Sequence, residues 1–394
     1  MIGLFNDCFP PIMDGVSLTV SNLAHQFSQK GEEVTVVCPQ MPGLDTAQYP
    51  FHISQYYSFP VPGRPPYRCG LPSVDFRFQR EMAGMQFSIV HAHCPFSSGE
   101  IALKTARKQG IPMVATFHSK FRDDFKRVLH NRQLVDLMVK RVVNFFEQAD
   151  EVWVPQLSVG ETLREYGYRG AYEVVDNGTD MAGLPYSEKM KRDAKKSLYV
   201  DTREPLLLFV GQHIWEKNVE VILRALGKLK GMPWHAIFVG DGYAKNDMIQ
   251  LARQLGLTGC DDYRQDKLTF FGTVGSREML QTFYTAADLF LFPSLYDNAP
   301  LVVREAASRF TPSIVARGSN TAELFHDGQN GFVSDADTDS FANCLRYVLE
   351  RPVLIEQAAK GAAQTLARPW SDVAEEVLDR YRLIIARKQN KMVI

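Results

Sequence analysis

The sequence predicts an α/β protein built from two doubly wound domains that face each other across a cleft. Three observations lead to this. The 394 residues exceed what a single hydrophobic core serves well, so two domains of similar size are expected. Short apolar runs alternate with longer amphipathic segments, the rhythm of βαβ units on a parallel sheet. That alternation lapses into polar, helical sequence from Met181 to Glu204 and then starts again, which places one domain over residues 1–180 and the other over 181–371.

In the first half, strands are predicted at Ile2–Phe5, Val34–Cys38, Ile89–His91, Met113–Phe117, Val152–Pro155 and Glu173–Val175. Ser17–Lys30 is the clearest helix between them: Leu18, Leu23, Ala24 and Phe27 share one face, and Gly31 follows as a stop signal. After Tyr57 the pattern fails. SFPVPGRPPYRCGLPSVDFRFQR, ending at Arg80, is rich in proline, aromatics and arginine and predicts a long, partly extended loop of the kind that often carries function.

In the second half, strands are predicted at Leu206–Val210, Ala236–Val239, Leu268–Phe271, Leu289–Phe292, Ser313–Val315 and Gly331–Val333. The helices between them are Val219–Leu229, Asp247–Leu255, Glu278–Ala287, Leu301–Arg309, Thr321–His326 and Ser340–Leu349. A final helix, Asp372–Lys388, is compatible by pattern with either domain. In open α/β sheets ligands bind off the carboxyl ends of strands, so two such domains imply a site in the cleft between them.

Composition narrows the classes. A hydrophobic fraction of 45% with 11% aromatics is that of a globular protein and excludes disorder. A formal net charge of -1 gives no overall drive toward nucleic acid, and no nucleic-acid partner is expected. Cys8, Cys38, Cys69, Cys94, Cys260 and Cys344 stand singly, without a CxxC pair, and read as reduced thiols of a cytosolic protein. The opening MIGLFNDCF has neither the basic region nor the apolar core of a signal peptide. No apolar run approaches the roughly 20 residues that span a bilayer, and Ile2 excludes the usual myristoylation signal.

The richest stretch is LFLFPSLYDNAPLVVRE, Leu289 to Glu305. An apolar strand ends at Pro293, a polar loop follows, and Pro300 suits the first turn of the next helix. A helix start presents free amides and the positive end of a dipole, a ready anion site. Asp297 and Glu305 flank it. Carboxylates beside an anion site make sense if they bind hydroxyl groups, so a ligand carrying both phosphate and sugar is inferred. Lys217, in VGQHIWEKN at the opening of another helix, opposes that helix's dipole and calls for an anion; with the Leu301–Val303 amides in the same half it reads as a diphosphate clamp.

Other motifs are weaker. Gly15, in PPIMDG before a helix, would let a backbone amide approach a phosphate or is a plain turn glycine; nothing near it completes G-x-G-x-x-G. His118 follows a strand in VATFHSKF, where it would meet a reacting sugar or serve as a structural histidine. His91 and His93 share a strand face, but no carboxylate or further cysteine completes a metal set. Asp335-Ala336-Asp337 is a D-x-D that trails a strand and precedes a helix, the place of turn and cap residues. No metal is expected. For an acceptor, two regions stand out. One is the proline-arginine loop with Arg64, Tyr67 and Arg68. The other is Phe121 to Gln148, where Lys120, Arg122, Lys126, Arg127, Arg132, Lys140 and Arg141 mix with apolar residues. A basic amphipathic helix can rest on an anionic membrane, although packing on its own domain is the commoner use and Asp123, Asp124 and Asp136 dilute the charge.

With these residues in hand the chain resembles the retaining glycosyltransferases of the GT-B class, specifically glycosyltransferase family four (group 1). The resemblance runs nearly end to end. It is carried by FPPIMDGVSLTVSNLAHQFSQKG, IVHAHCPFSSG, ATFHS, VGQHIWEKN, FVGDG, FFGTV and the long block ADLFLFPSLYDNAPLVVREAASRFTPSIVARGSNTAELFHDGQNGFV. It implies two facing Rossmann-like domains, a donor held mainly by the second, and a closing helix that crosses back onto the first. Carried over by residue, it implies that Glu305 binds the ribose hydroxyls and that the amides of Leu301 and Val302 bind the diphosphate. Lys217 would neutralise the leaving phosphate, Val274 lie against the base, and Gly15 approach the diphosphate. His118 would contact the transferred sugar, and Asp297 would hold its hydroxyls. Gln212, Ala299 and Pro300 belong to the same donor site but depart from the pattern or adjoin a departure. The family usually has arginine at Gln212, glutamate at Asp297 and glycine at Pro300.

The implied reaction is metal-independent retaining transfer of a hexose from a UDP- or GDP-sugar, which is a substrate rather than a cofactor. The GV after the first aspartate, the Pro-Arg-Tyr loop and the basic segment look like members that glycosylate membrane glycolipids or diacylglycerol. A soluble or polysaccharide acceptor is the rival, and a GT-B sugar-nucleotide epimerase is a second alternative. The implied location is cytoplasmic, with peripheral contact at the inner face of the cell membrane.

Overall fold

The computed structural model describes residues 1–12, 14–61, 67–258 and 266–392. Arg64 and Cys260 therefore lie outside the described residues. The chain divides into two compact units, Met1–Gly178 with Trp370–Ile394, and Thr179–Pro369.

The first unit contains strands β1 (Ile2–Phe5), β2 (Val34–Pro39), β3 (His52–Tyr56), β4 (Ser58–Pro60), β5 (Arg68–Gly70), β6 (Ile89–Ala92), β7 (Met113–Thr116), β8 (Glu151–Val154) and β9 (Glu173–Val174). Its helices are α1 (Gly15–Gln29), α2 (Phe76–Gly84), α3 (Ser97–Gln109), α4 (Phe121–Val128), α5 (Arg132–Phe146) and α6 (Leu157–Glu165). Seven strands form one parallel sheet in the order β3-β2-β1-β6-β7-β8-β9. The order reverses between β1 and β6. Asp14 caps α1 by accepting from the Ser17 amide at 2.7 Å while the Asp14 amide donates to Ser17 Oγ, a reciprocal capping box.

The second unit contains β10 (Leu206–Val210), β11 (His235–Val239), β12 (Leu268–Gly272), β13 (Leu289–Phe292), β14 (Ser313–Ala316) and β15 (Phe332–Ser334), with α7 (Glu188–Ser197), α8 (Val219–Lys228), α9 (Lys245–Gln254), α10 (Arg277–Ala286), α11 (Leu301–Ser308), α12 (Thr338–Leu349) and α13 (Pro352–Thr365). The sheet is parallel in the order β12-β11-β10-β13-β14-β15, the doubly wound order of dinucleotide-binding domains, with its switch point between β10 and β13. The unbroken apolar run of β10 follows from burial on both faces. Leu207 and Phe209 pack with residues of α8, α9 and α12; Leu206, Leu208 and Val210 pack with residues of α7, α10 and α11. The chain then enters α14 (Trp370–Met392), which packs in the first unit: Tyr381 meets Phe27 of α1 at 5.9 Å and stacks on Trp153 of β8 at 5.6 Å.

All twelve predicted strands are present, within one or two residues of their predicted ends. Three predictions need correction. The stretch after Tyr57 is not one loop: β4 and β5 pair as an antiparallel hairpin, and Asp75 caps α2 through the Phe78 amide at 3.0 Å. The basic segment is two helices, α4 and α5, because the chain turns extended at Leu129 and Asn131 caps a new start. The helix predicted at Thr321–His326 is a single 3-10 turn, Asn320–Leu324, capped by Ser319.

Candidate active site

The switch point of the second unit gathers the loops that follow β10 and β13. After β10 the chain passes Gln212, which is exposed, and ends in a 3-10 turn, Trp215–Lys217, before Asn218 turns into α8 with φ 58°. Two contacts hold this loop. His213 donates its amide to the Asp241 carbonyl at 2.9 Å, and the glycines of the loop after β11 let the two loops interlock: a Cβ at Gly240 would lie 2.0 Å from the Gly211 oxygen, and one at Gly242 2.5 Å from the His213 oxygen. Asn218 Nδ2 donates to the carbonyls of Pro293 and Ala336, each at 3.3 Å, which ties Lys217 to the end of β13.

Lys217 Nζ therefore reaches Asp297 and donates to Oδ1. Ser294 Oγ donates to the other oxygen, Oδ2, at 2.6 Å. Both charged side chains are largely enclosed, at 12% and 16% exposure, and the ammonium lies 5.6 Å from the Phe292 ring. A lysine so placed at the start of α8 opposes that helix's dipole; the carboxylate from the neighbouring strand's loop compensates it.

Asn298, Ala299 and Pro300 lead into α11, and Asn320 Nδ2 donates to Asn298 Oδ1 at 2.9 Å. Pro300 is the residue before the helix rather than part of its first turn, with φ -68° and ψ 129° and no side-chain cap. The amides of Leu301 and Val302 thus open the helix without an intrahelical acceptor. Four residues on, Glu305 is buried at 4% exposure. Its Oε1 accepts from Arg277 Nη2 at 2.8 Å and its Oε2 from the Tyr284 hydroxyl at 2.8 Å. Burial, then the Glu305 charge, hold the Tyr284 phenol well above its ordinary range, so it stays a donor. Arg277 also pairs with Asp180, Nε donating to Oδ2 at 2.9 Å. Val274 packs partly buried against the apolar layer beneath α10 and α11.

In the first unit, Gly15 is the first residue of α1. A side chain there would meet no atom within 4 Å, so packing does not require glycine. His118 follows β7 and shares a 3.0 Å hydrogen bond from Nε2 with Nδ1 of His93, on which its ring stacks. His93 in turn lies 4.0 Å, ring to ring, from His91. His91 is held at Nδ1 by the Tyr381 hydroxyl, 2.6 Å, and at Nε2 by Thr116 Oγ1, 2.7 Å. Burial pushes the pKa of His118 down to about 4 and those of His91 and His93 well below the ordinary range. The row is neutral at physiological pH and lines a recess with Thr19, Asp176 and Trp370.

The structure thus brings Lys217 and Asp297 into contact, sets Ala299, Pro300, Leu301 and Val302 directly after them, and gives Glu305 partners of its own in Arg277 and Tyr284. Arg277, Tyr284, Asp180, Ser294 and Asn218 join the site through contacts that leave no local signal in the sequence. His91 and His93, whose spacing invites a metal reading, instead form a row that supports His118. Among the described residues no three His, Cys, Asp or Glu side chains converge as a metal-binding group. In the D-x-D, Asp337 caps α12 through the amides of Asp339 and Ser340 at 2.9 Å, and Asp335 accepts from Arg317 at 2.8 Å.

Two doubly wound parallel domains, one with a lysine, a helix start and two carboxylates at its switch point, define a GT-B glycosyltransferase. Residues 13–182 match Glycosyltransferase Family 4 and residues 190–365 match Glycosyl transferases group 1. The chain belongs to this family of glycosyltransferases. Similar proteins include alpha-monoglucosyldiacylglycerol synthases from Acholeplasma laidlawii, 23% identical over 99% of this chain and 98% of that one, and from Streptococcus pneumoniae, 24% identical over 90% and 80%. In fold it is similar to Anabaena HepE, solved with UDP and glucose, at a TM-score of 0.75 and 17% identity, covering 96% of this chain and 98% of that one.

Proposed function

We propose that the protein is a retaining, metal-independent hexosyltransferase that takes a hexose from a UDP- or GDP-sugar and passes it to a membrane lipid, diacylglycerol or a glycolipid. The observation that carries the donor half is the enclosed Lys217–Asp297 pair beside the uncapped start of α11. As the bond from sugar to diphosphate breaks, negative charge gathers on the departing phosphate oxygen. The Lys217 ammonium and the Leu301 and Val302 amides are preorganised donors for that charge, the kind of electrostatic stabilisation that supplies the largest share of many enzymatic rate enhancements. Asp297, released from Lys217 when the phosphate takes the ammonium, is left to accept hydroxyls of the sugar. Glu305 takes the ribose. His118 and Gly15 keep the roles that the family resemblance gives them. The departing phosphate oxygen accepts the proton of the incoming hydroxyl on the same face, which gives retention without a protein base.

The lipid acceptor is supported by the named activity of the two synthases above and by the surface of α4 and α5. There Val128, Leu134 and Leu137 are exposed at 55%, 48% and 61% among Lys126, Arg132, Lys140 and Arg141. No helix among the described residues is long and apolar enough to cross a membrane, so contact would be peripheral, at the inner face of the cell membrane. The test is a panel of nucleotide sugars scored by thermal shift and hydrolysis, followed by transfer to diacylglycerol in vesicles. Transfer that proceeds only to soluble sugars would replace the lipid acceptor, and conversion of the donor to another sugar nucleotide without any acceptor would replace transfer by epimerisation.

A further inference from the structure

Glu305 is the most deeply buried carboxylate of the candidate site, and a buried charge persists only when it is paired and hydrogen-bonded. Its partners divide the work evenly. A carboxylate has about four lone-pair positions, two on each oxygen; Arg277 takes one on Oε1 and Tyr284 one on Oε2. One acceptor position is left on each oxygen, which suits two neighbouring hydroxyl groups. The guanidinium that sets this orientation is itself fixed from behind. Arg277 offers Nε and Nη2 as a fork to the two oxygens of Asp180, the bidentate geometry that arginine favours with carboxylates, and the same Nη2 reaches Glu305. An ordered chain, Asp180 to Arg277 to Glu305, therefore runs from the segment that opens the second unit to the carboxylate on α11.

We propose that Arg277 is a positioning residue for nucleoside recognition: anchored by Asp180, it holds Glu305 with one free acceptor position per oxygen, so that the site selects a vicinal diol and hence a ribonucleotide over its deoxy counterpart. This rests on the reading that Glu305 binds the ribose of a nucleotide donor. Arginine is needed because a lysine ammonium is a point charge without the planar fork and cannot hold Asp180 and Glu305 in one fixed geometry. Tyr284, buried and protonated, completes the cradle from the other side.

The test measures dissociation constants of UDP, GDP and their 2′-deoxy counterparts by calorimetry, with the melting temperature of each variant recorded. In the wild type, loss of the 2′-hydroxyl should weaken binding about tenfold or more, as expected for a hydrogen bond to a charged group. In Arg277→Ala the ribonucleotide should weaken while the deoxynucleotide changes little, so that the ratio falls toward one. Arg277→Lys should not restore it, and Asp180→Asn should lower it in the same direction. Tyr284→Phe, which keeps volume and removes one donor, should lower the ratio too and serves if Arg277→Ala folds poorly. An unchanged ratio in these variants, or equal weakening of both nucleotides, overturns the proposal alone. A wild type that binds none of the four nucleotides overturns the donor reading and this proposal with it.

Discussion

Lys217 and Asp297 are 80 residues apart in sequence and share a hydrogen bond across the switch point of the second sheet. Neither is held by its own helix. The lysine ends a 3-10 turn pinned by Asn218 to the end of β13, and the aspartate is held by Ser294. Lys217→Ala should lower transfer by about 10²–10³, the range seen when one preorganised donor is removed from a developing negative charge. The Asn218 and Ser294 contacts keep the loop in place, but the enclosed Asp297 carboxylate loses its counter-ion, so the melting temperature should fall as well. Steady-state transfer together with thermal melting checks both; unchanged turnover would remove Lys217 from the chemistry.

Gln212 stands exposed in the same loop, at the position where the family resemblance leads one to expect arginine. The substitution Gln212→Arg adds a cation five residues before Lys217, and it should tighten binding of a nucleoside diphosphate severalfold at low salt. The gain should shrink as ionic strength rises, since the Debye length falls from about 30 Å at 0.01 M to about 8 Å at 0.15 M. Titration calorimetry at two salt concentrations decides it. A salt-independent gain, or none, would show that the side chain does not face the phosphates.

Most of the architecture is legible from alternation because buried parallel strands must be apolar on both faces; Leu206–Val210 and Leu289–Phe292 announce themselves for that reason. What escapes is marginal to the core. β3 is an edge strand containing His52, Ser54 and Gln55, α2 buries only Phe78, and α13 is alanine-rich with a faint apolar stripe. The site divides the same way. A strand, a loop and a helix start are local patterns, and so the stretch from Leu289 to Glu305 can be read as one. Contacts between elements distant in sequence cannot: Arg277 reaches Glu305 over 28 residues and Tyr381 reaches His91 over 290, separations that carry no periodic signal. The histidines show the limit most clearly. Two on one strand suggest a metal, and only the folded chain turns His93 toward His118.

The closing helix contributes to that row through Tyr381, and burial keeps all three histidines neutral. Their pKa values are lowered on folding, that of His118 from about 6.5 to about 4. The unfolded chain therefore binds more protons than the folded one in this interval, and stability rises with pH across it. The contribution is complete above about pH 6.5 and is lost as pH falls toward 4. Melting temperature should drop between pH 7.5 and 5. In His93→Gln it should be lower at pH 7.5 but fall less steeply on acidification, because one buried group no longer has to be kept neutral. Equal slopes for the two proteins would exclude the row as a source of acid sensitivity.

The helices α4 and α5 present two kinds of surface. Their apolar side chains divide: Val135, Val139, Val142 and Phe146 are buried, whereas Val128, Leu134 and Leu137 face outward. The three acidic residues of the segment are engaged locally, Asp123 with Lys126, Asp124 with Arg127 and Asp136 with Arg122, and Arg141 pairs with Glu100 of α3, so Arg132 and Lys140 are the cations set beside the exposed apolar side chains. If this surface meets an anionic membrane, vesicles containing phosphatidylglycerol should sediment the protein more strongly than phosphatidylcholine vesicles. Each basic residue near the surface contributes about 1 kcal/mol to such binding, within a Debye length. The double variant Leu134→Glu with Leu137→Glu should abolish sedimentation without lowering the melting temperature, because both positions are already exposed to water. Transfer to lipid in vesicles should fall with it, while hydrolysis of the nucleotide sugar should not. Sedimentation that survives the double variant would assign membrane contact to another surface.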